Sequence, residues 1–425
     1  MKSASPLNPP LLEDPLYLRR NQFPPPGGRV ERDPVNTDMA PAKLTILLSG
    51  MIASAPRQGG ATWAVLQYLL GLRRLGHEVY FVEPVEQGAL SPAGTSLTRS
   101  ENASYFRKVV EGFGLEASAS LLLAGTRETV GLSYDGLRRA ARRADLLINV
   151  SGMLTDENLL GHIPARAYLD IDPAFNQLWQ AAQGIDMRFE GHTHFVTIGL
   201  AIGLPDCPVP TCGREWVKTL QPVVIEHWPV ADSVSYRALT TVGNWRAYGS
   251  IEHEGVFYGQ KVHSIREFIR LPTLTREPFL LALAIHPQET RDLAALENNG
   301  WKLIDPAGVA HDPWSYREFI QHSKAEFGIA KSGYVNSRCG WFSDRSICYL
   351  ASGRPVIAQE TGFSRFLPAG EGLFSFETEA DVVAAVEEMN KDYGRHSVAA
   401  RAVAEEFFES DKVLSGLLAK LGLAA

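Results

Sequence analysis

Four cysteines in 425 residues are too few for a disulfide framework. Cys207 and Cys212 form a C-x4-C pair, but neither a second close pair nor a nearby histidine completes a zinc set. No metal site is therefore expected, and Cys207, Cys212, Cys339 and Cys348 read as reduced thiols of a cytoplasmic protein. No stretch approaches about 18 uninterrupted apolar residues, so no membrane span is expected. The N-terminus also lacks the apolar core of a signal peptide. Basic residues are not in excess. The formal net charge is -7 and the pI about 5.9, which argues against a nucleic-acid partner while leaving room for a local basic pocket. Neither G-x-G-x-x-G nor G-x-x-x-x-G-K-[ST] occurs, so nothing points to a dinucleotide cofactor, and none is expected.

What is present is a globular composition, 45% hydrophobic and 21% charged, in a chain long enough for two or three domains. Residues 1–42 are rich in proline, and "FPPPGG" propagates neither helix nor central strand, so this part reads as an extended or disordered arm. From Lys43 the pattern alternates. "LTILLSG" (44–50) is a buried strand, "ATWAVLQYLLGLRRLG" (61–76) a helix closed by Gly76, and "EVYFVEP" (78–84) a second strand. This is a βαβ unit, hence a parallel sheet. Helices follow around 102–114 and 134–143. Strands are expected at 145–152, 165–173 and 194–203, with an extended run at 220–229. The first domain spans about 43–232.

A second series begins at "LTTVGNW" (239–245) and runs to residue 425, with strands at 279–285, 301–305, 325–331 and 355–359. Its final helices are expected at 378–391 and 396–421. The fold class is α/β, with two Rossmann-like parallel-sheet domains facing a cleft, and in such folds ligands sit beyond the carboxyl ends of the strands.

Two stretches carry the chemistry. Gly59 and Gly60 stand in the first βα loop, either as a tight turn or as a place where backbone approaches an acceptor. In "GIAKSGYVNSRCGWFSDRS", Lys331 closes a strand, and Gly333, Ser337, Arg338 and Gly340 form a loop. Ser343 or Asp344 then suits an N-cap for a helix from about Arg345 to Ala351. A helix start beside Lys331, Arg338 and Arg345 is a place for a diphosphate. Thr361 and Gly362, at the end of the next strand, would line the same cleft. Asp170 and Asp172 end one strand, and His192 and His194 precede another. Asp172, then His194, are the candidate general bases.

"GG" ahead of "LLGLRRLGHEVYFVEP", together with "CYLASGRPVIAQETGFSRFLPAGEGLFSFET", resembles the two halves of a glycosyltransferase of the GT-B fold. The second block is similar to the signature of the large retaining families and of the spore-coat-type glycosyltransferases. The resemblance implies a nucleotide-diphosphate sugar held mostly by the second domain and an unidentified acceptor held mostly by the first. It also implies that Gly243, Asn244 and Trp245 border the donor phosphates, with Tyr248 and His286 near the nucleoside. One position departs from the pattern. Those families often carry a glutamate five residues before the helix-ending glycine, where it would hold the donor ribose, and here Cys348 stands there. Three readings follow. The first is a glycosyltransferase, the second a sugar-nucleotide 2-epimerase of the same fold, and the third a catalytically silent sugar- or nucleotide-binding protein.

Overall fold

The computed structural model describes residues 43–423; the arm at 1–42 lies outside the described residues. Eight strands form the first sheet: β1 Thr45–Ser49, β2 Glu78–Val85, β3 Ala119–Leu123, β4 Thr129–Gly131, β5 Leu146–Val150, β6 Ala165–Asp170, β7 His194–Thr197 and β8 Trp216–Lys218. Their order is β4-β3-β2-β1-β5-β6-β7-β8, and only the edge pair β3–β4 is antiparallel. The second series contributes β9 Tyr236–Asn244, a hairpin of β10 Ile251–His253 and β11 Val256–Tyr258, then β12 Phe279–Ala284, β13 Lys302–Leu303, β14 Ser323–Gly328, β15 Val356–Gln359 and β16 Leu373–Phe376. Outside the hairpin these make an all-parallel sheet in the order β13-β12-β9-β14-β15-β16. Strand order reverses between β1 and β5 in one sheet and between β9 and β14 in the other. A crevice opens beyond the carboxyl ends of strands at such switch points.

The helix Gly59–Arg74 turns one apolar face inward, with Trp63, Leu66, Leu69 and Leu72 at most 1% exposed. Trp63 reaches out of its own sheet. Its indole N–H donates to the Pro313 carbonyl (2.7 Å), and its ring lies 4.9 Å from that of Trp228. One apolar cluster therefore runs from Ile46 of the first sheet through Tyr316 and Phe319 to Val356 of the second. A buried aromatic pair of this kind adds roughly 0.5–1.5 kcal/mol beyond the area it buries.

Several elements differ from the sequence pattern for local reasons. Residues 194–203 are strand only as far as Thr197, whose hydroxyl accepts from Gly199 N (3.0 Å) and turns the chain. The run 220–229 makes a single bridge at Val223 to Glu409 and then a 3-10 turn, Ile225–His227. The expected helix 396–421 is broken. Tyr393–Val403 ends in a π-turn, Ala404–Phe408, before Ser410–Lys420 begins. Val223 causes the break by donating to Phe408 O and accepting from Ser410 N, which pulls that backbone out of helical bonding. The expected loop from Gly333 begins as a helix, Ser332–Ser337, stopped by Arg338 in a left-handed conformation (φ 45°).

Candidate active site

Two groups of side chains meet beyond the carboxyl ends of the second sheet's central strands. The first is a buried charge set. Arg345, one residue inside the helix Asp344–Ala351, is 8% exposed. Its Nε donates to Glu326 Oε1 of β14 (2.5 Å) and its Nη1 to Val242 O of β9 (3.1 Å). Nη2 of Arg345 and Oε2 of Glu326 are buried without partners. Lys261 opens the helix Lys261–Glu267 and is itself buried, with its amine on Ile329 O (2.8 Å). Burial and the neighbouring Arg345 push the Lys261 amine well below its usual range. Burial also works against the Arg345 charge, but Glu326 holds it on, and its pKa stays above the ordinary value. Both cations border Gly243, where an added Cβ would still lie 3.8 Å from Arg345 Nη1 and 3.9 Å from Lys261 Cε. That is contact distance, so the two basic side chains close around the glycine, and the unmet guanidinium donor of Arg345 is the group there that calls for an anion.

The second group ties the two sheets together. Asp172 follows β6 of the first sheet. Its carboxylate accepts from Lys331 Nζ (3.1 and 3.3 Å), from the Tyr248 hydroxyl (2.6 Å) and from the Tyr334 hydroxyl in a very short bond. Lys331 follows β14, and its ammonium also sits over the rings of Tyr248 (4.1 Å), Phe175 (5.0 Å) and Tyr334 (5.1 Å). Burial, then the Asp172 charge, raises both tyrosines well above their usual pKa, so they act as donors here. Behind this group Asp170 is fully buried and serves a structural role. It accepts from Asn176 (2.6 Å), Gln177 (2.7 Å), Thr197 (2.8 Å) and the Asp172 backbone (3.1 Å). Burial still raises it to about 6.

The structure separates several residues that the sequence groups together. Arg338 turns outward to Glu377 (3.3 Å), with both side chains more than half exposed, because the left-handed turn at its α-carbon points it away from Arg345. His194 begins β7, at the amino end of the first sheet and opposite the crevice, and its ring bonds Thr193 (2.8 Å). His192 lies behind it, bonded to Asn149. Trp245 is a core residue, 1% exposed, donating to Asp292 (3.3 Å), while Asn244 beside it is exposed. His286 is exposed as well. Ser337 caps back onto Tyr334 O. Gly333 has no room for a side chain, since a Cβ would meet the Phe175 ring at 2.4 Å. Thr361 bonds Trp341 O, and Gly362 (φ 90°) fits under Arg338 O, so this pair shapes the 338–341 loop. Gly59 packs against the second series: its N–H donates to Ala310 O (2.8 Å), and a Cβ would meet Asp312 O at 2.2 Å. Gly60 faces the Tyr316 ring.

Asp344 and Cys348, one helical turn apart, share a cavity with Trp63, Gln67, Tyr68 and Tyr316 in the seam between the sheets. Its free volume of about 10 Å³ has room for one water molecule. The Tyr68 hydroxyl in that wall is buried and unpartnered. Among the described residues, no three His, Cys, Asp or Glu side chains gather as a metal set, and no helix is long and apolar enough to cross a membrane.

Sequence reasoning missed Lys261 and Tyr334, which lie in a helix start and a short helix with no distinctive spacing. Glu83 reads in the sequence as no more than the end of a strand. That carboxylate accepts from Ala53 N (2.8 and 2.9 Å) and Ser54 N (2.5 Å), fixing the loop that leads to Gly59. Burial lifts Glu83 from 4.5 to about 7, against the pull of those N–H groups. The folded protein therefore keeps a proton that the unfolded chain releases. This contribution is full below pH 4.5 and is lost as pH rises to about 7. Urea unfolding across that window is expected to show stability falling with pH, and Glu83→Gln to flatten the slope.

No family model and no curated protein matches this chain. Solved structures do. An alpha-glucosyltransferase in complex with UDP-glucose and DNA containing an abasic site superposes with a TM-score of 0.56 at 11% identity, over 89% of this chain and 98% of the other. Anabaena Alr3699/HepE, in complex with UDP and glucose, gives 0.53 at 10% identity, over 89% and 99%. The chain has the GT-B fold. The resemblance read from residues 43–84 and 348–378 is thus met at the level of the fold.

Proposed function

We propose that the protein is a glycosyltransferase taking its donor as a nucleotide-diphosphate sugar, with UDP as the first nucleotide to try. The observation that carries this reading is the buried Arg345–Lys261 pair beside Gly243, with an unpartnered guanidinium nitrogen and, at the glycine, room for no more than a methyl group in contact with both side chains. The diphosphate would lie there, and charge growing on the leaving group would be met by cations already in place. Supporting it, the structural neighbours named above were solved with UDP or UDP-glucose. Asp344, on the same helical face as Cys348, is the carboxylate that would meet the donor's ribose once the seam opens. Asp172 would face the acceptor hydroxyl. If it takes that proton, the acceptor oxygen bonds the anomeric carbon, the sugar–phosphate bond breaks with its electron pair leaving on the diphosphate, and the sugar is inverted.

The acceptor is an unidentified hydroxyl compound. One neighbour was solved with DNA, whereas the charge of -7 on this chain speaks against a nucleic-acid acceptor. A silent nucleotide-binding protein is the second reading, favoured by Cys348 in the glutamate position and by the tightly packed seam.

Calorimetric titration with UDP, GDP, dTDP and NADH tests the first reading. One diphosphate is expected to bind. Lys261→Met should weaken it by about 1.5–3 kcal/mol, the usual size of a charge-assisted bond. Arg338→Ala, whose side chain points away, should leave it unchanged. No diphosphate binding, or indifference to Lys261, would exclude the donor site. Binding without hydrolysis or transfer of the sugar from any nucleotide sugar would favour the silent protein.

A further inference from the structure

Lys331 stands between two places. On one side it pairs with Asp172 of the first sheet; on the other it stands two residues past Ile329, whose carbonyl holds the Lys261 amine (2.8 Å), and Gly333 N bonds Gly259 O (3.0 Å) between the same two segments. Three basic side chains, Lys261, Arg345 and Lys331, thus cluster at the carboxyl ends of β9 and β14. Their directly bonded carboxylates are Glu326, which holds Arg345, and Asp172, which holds Lys331. Asp172 as it stands is not free to meet an acceptor hydroxyl, because three donors already occupy it: one ammonium and two phenols. It is also not dependent on the ammonium. If Lys331 leaves, the Tyr248 and Tyr334 hydroxyls still satisfy the carboxylate, so no buried charge is stranded. A diphosphate carries more negative charge than a single carboxylate, and it would arrive beside Lys261, where a second lysine relieves like-charge crowding by turning to meet it.

We propose that Lys331 is exchanged between Asp172 and the phosphates of an incoming nucleotide, so that nucleotide binding itself releases Asp172 to face the acceptor. This rests on the donor-site reading above and adds an order of events to it: donor first, then acceptor. Tyr248 and Tyr334 are positioning residues that keep the freed carboxylate in place. The Lys331–Asp172 pair also joins the two sheets, so its exchange makes the seam beside the site responsive to nucleotide.

The exchange has a sign that a plain structural clamp would not show. If Asp172 competes with nucleotide for Lys331, removing the Asp172 charge must tighten nucleotide binding, although Asp172 belongs to the opposite sheet. UDP affinity is measured by calorimetry on the full chain for the wild type, Asp172→Asn, Lys331→Met and the double variant. Asp172→Asn is expected to bind UDP about fivefold tighter or more, a coupling of ordinary size. Lys331→Met should bind about tenfold weaker, and in its background Asp172→Asn should change affinity by less than about twofold. If Asp172→Asn does not fold, Asp172→Ser carries the same expectation, with thermal unfolding as the check. UDP binding that is weakened by the Asp172 substitution, or left unchanged by it, would overturn the exchange and leave the donor site standing. Absence of binding by UDP, GDP and dTDP alike in the wild type would instead remove the donor-site reading and this one with it; if another of the three binds, it replaces UDP in the comparison.

Discussion

Arg345→Ala is expected to destabilise the protein by about 3–5 kcal/mol, the cost of leaving one member of a buried ion pair without its partner. Glu326 lies on a central strand at 0% exposure, and one of its oxygens already lacks a partner. Without the guanidinium the other loses its bond as well. Denaturant unfolding measures the loss. A second variant separates structure from ligand binding. Replacing the pair together, Arg345→Met with Glu326→Gln, removes both charges and should recover most of the stability, since swapping a buried pair for neutral residues of similar size is often tolerated. It should not recover nucleotide binding, because the donor with the unmet valence is gone. A double variant that is stable and still binds UDP with wild-type affinity would make Arg345 a structural ion and nothing more.

Gly59→Ala is expected to push the two sheets apart where the helix Gly59–Arg74 begins. The new Cβ would stand 2.2 Å from Asp312 O, 2.6 Å from Asp312 C and 2.8 Å from Tyr316 Cβ. Two of these are backbone atoms of an N-capped helix start, so no side chain can swing aside. Overpacking costs about 1–3 kcal/mol. The Gly59 N–H bond to Ala310 O (2.8 Å) adds about 1 kcal/mol more if it breaks. Thermal unfolding should register the cost, and small-angle scattering an increase in radius. Gly308→Ala is the matched control, because a Cβ there meets nothing within 4 Å. Equal behaviour of the two variants would mean that the Gly59 contact is not a tight one.

The parallel sheets were legible because buried strands such as "LTILLSG" and "FLLALAI" are continuous apolar runs bounded by turns, and the helices between them repeat at helical spacing. The cation at Arg345 was legible because it sits at a helix start. Its neighbour Lys261 was not, since a lysine in "GQKVHS" looks like any solvated charge until the ends of β9 and β14 enclose it. Arg338 misled for the converse reason. It adjoins the site in sequence, but one left-handed residue sends it to the surface. Asp172 was read as a strand-end carboxylate, and its partners lie 76 to 162 residues away, beyond the reach of any local pattern. The same holds for Val223, which breaks a helix that starts about 170 residues later.

That helix break settles where the chain's last segment goes. Ser410–Lys420 packs on the opening helix of the first series, with Leu414 and Ser410 pressed against Gly71, and Arg74 holding Asp411 (3.0 Å). The final residues thus complete the half of the molecule that the chain built first. A cut between residues 232 and 239 would divide the sequence evenly but not the architecture. The leading fragment would lack its closing layer, and the trailing one would carry an amphipathic tail with nothing to cover it. The two pieces would be complementary fragments, each insoluble in the other's absence and suited to reassembly when produced together.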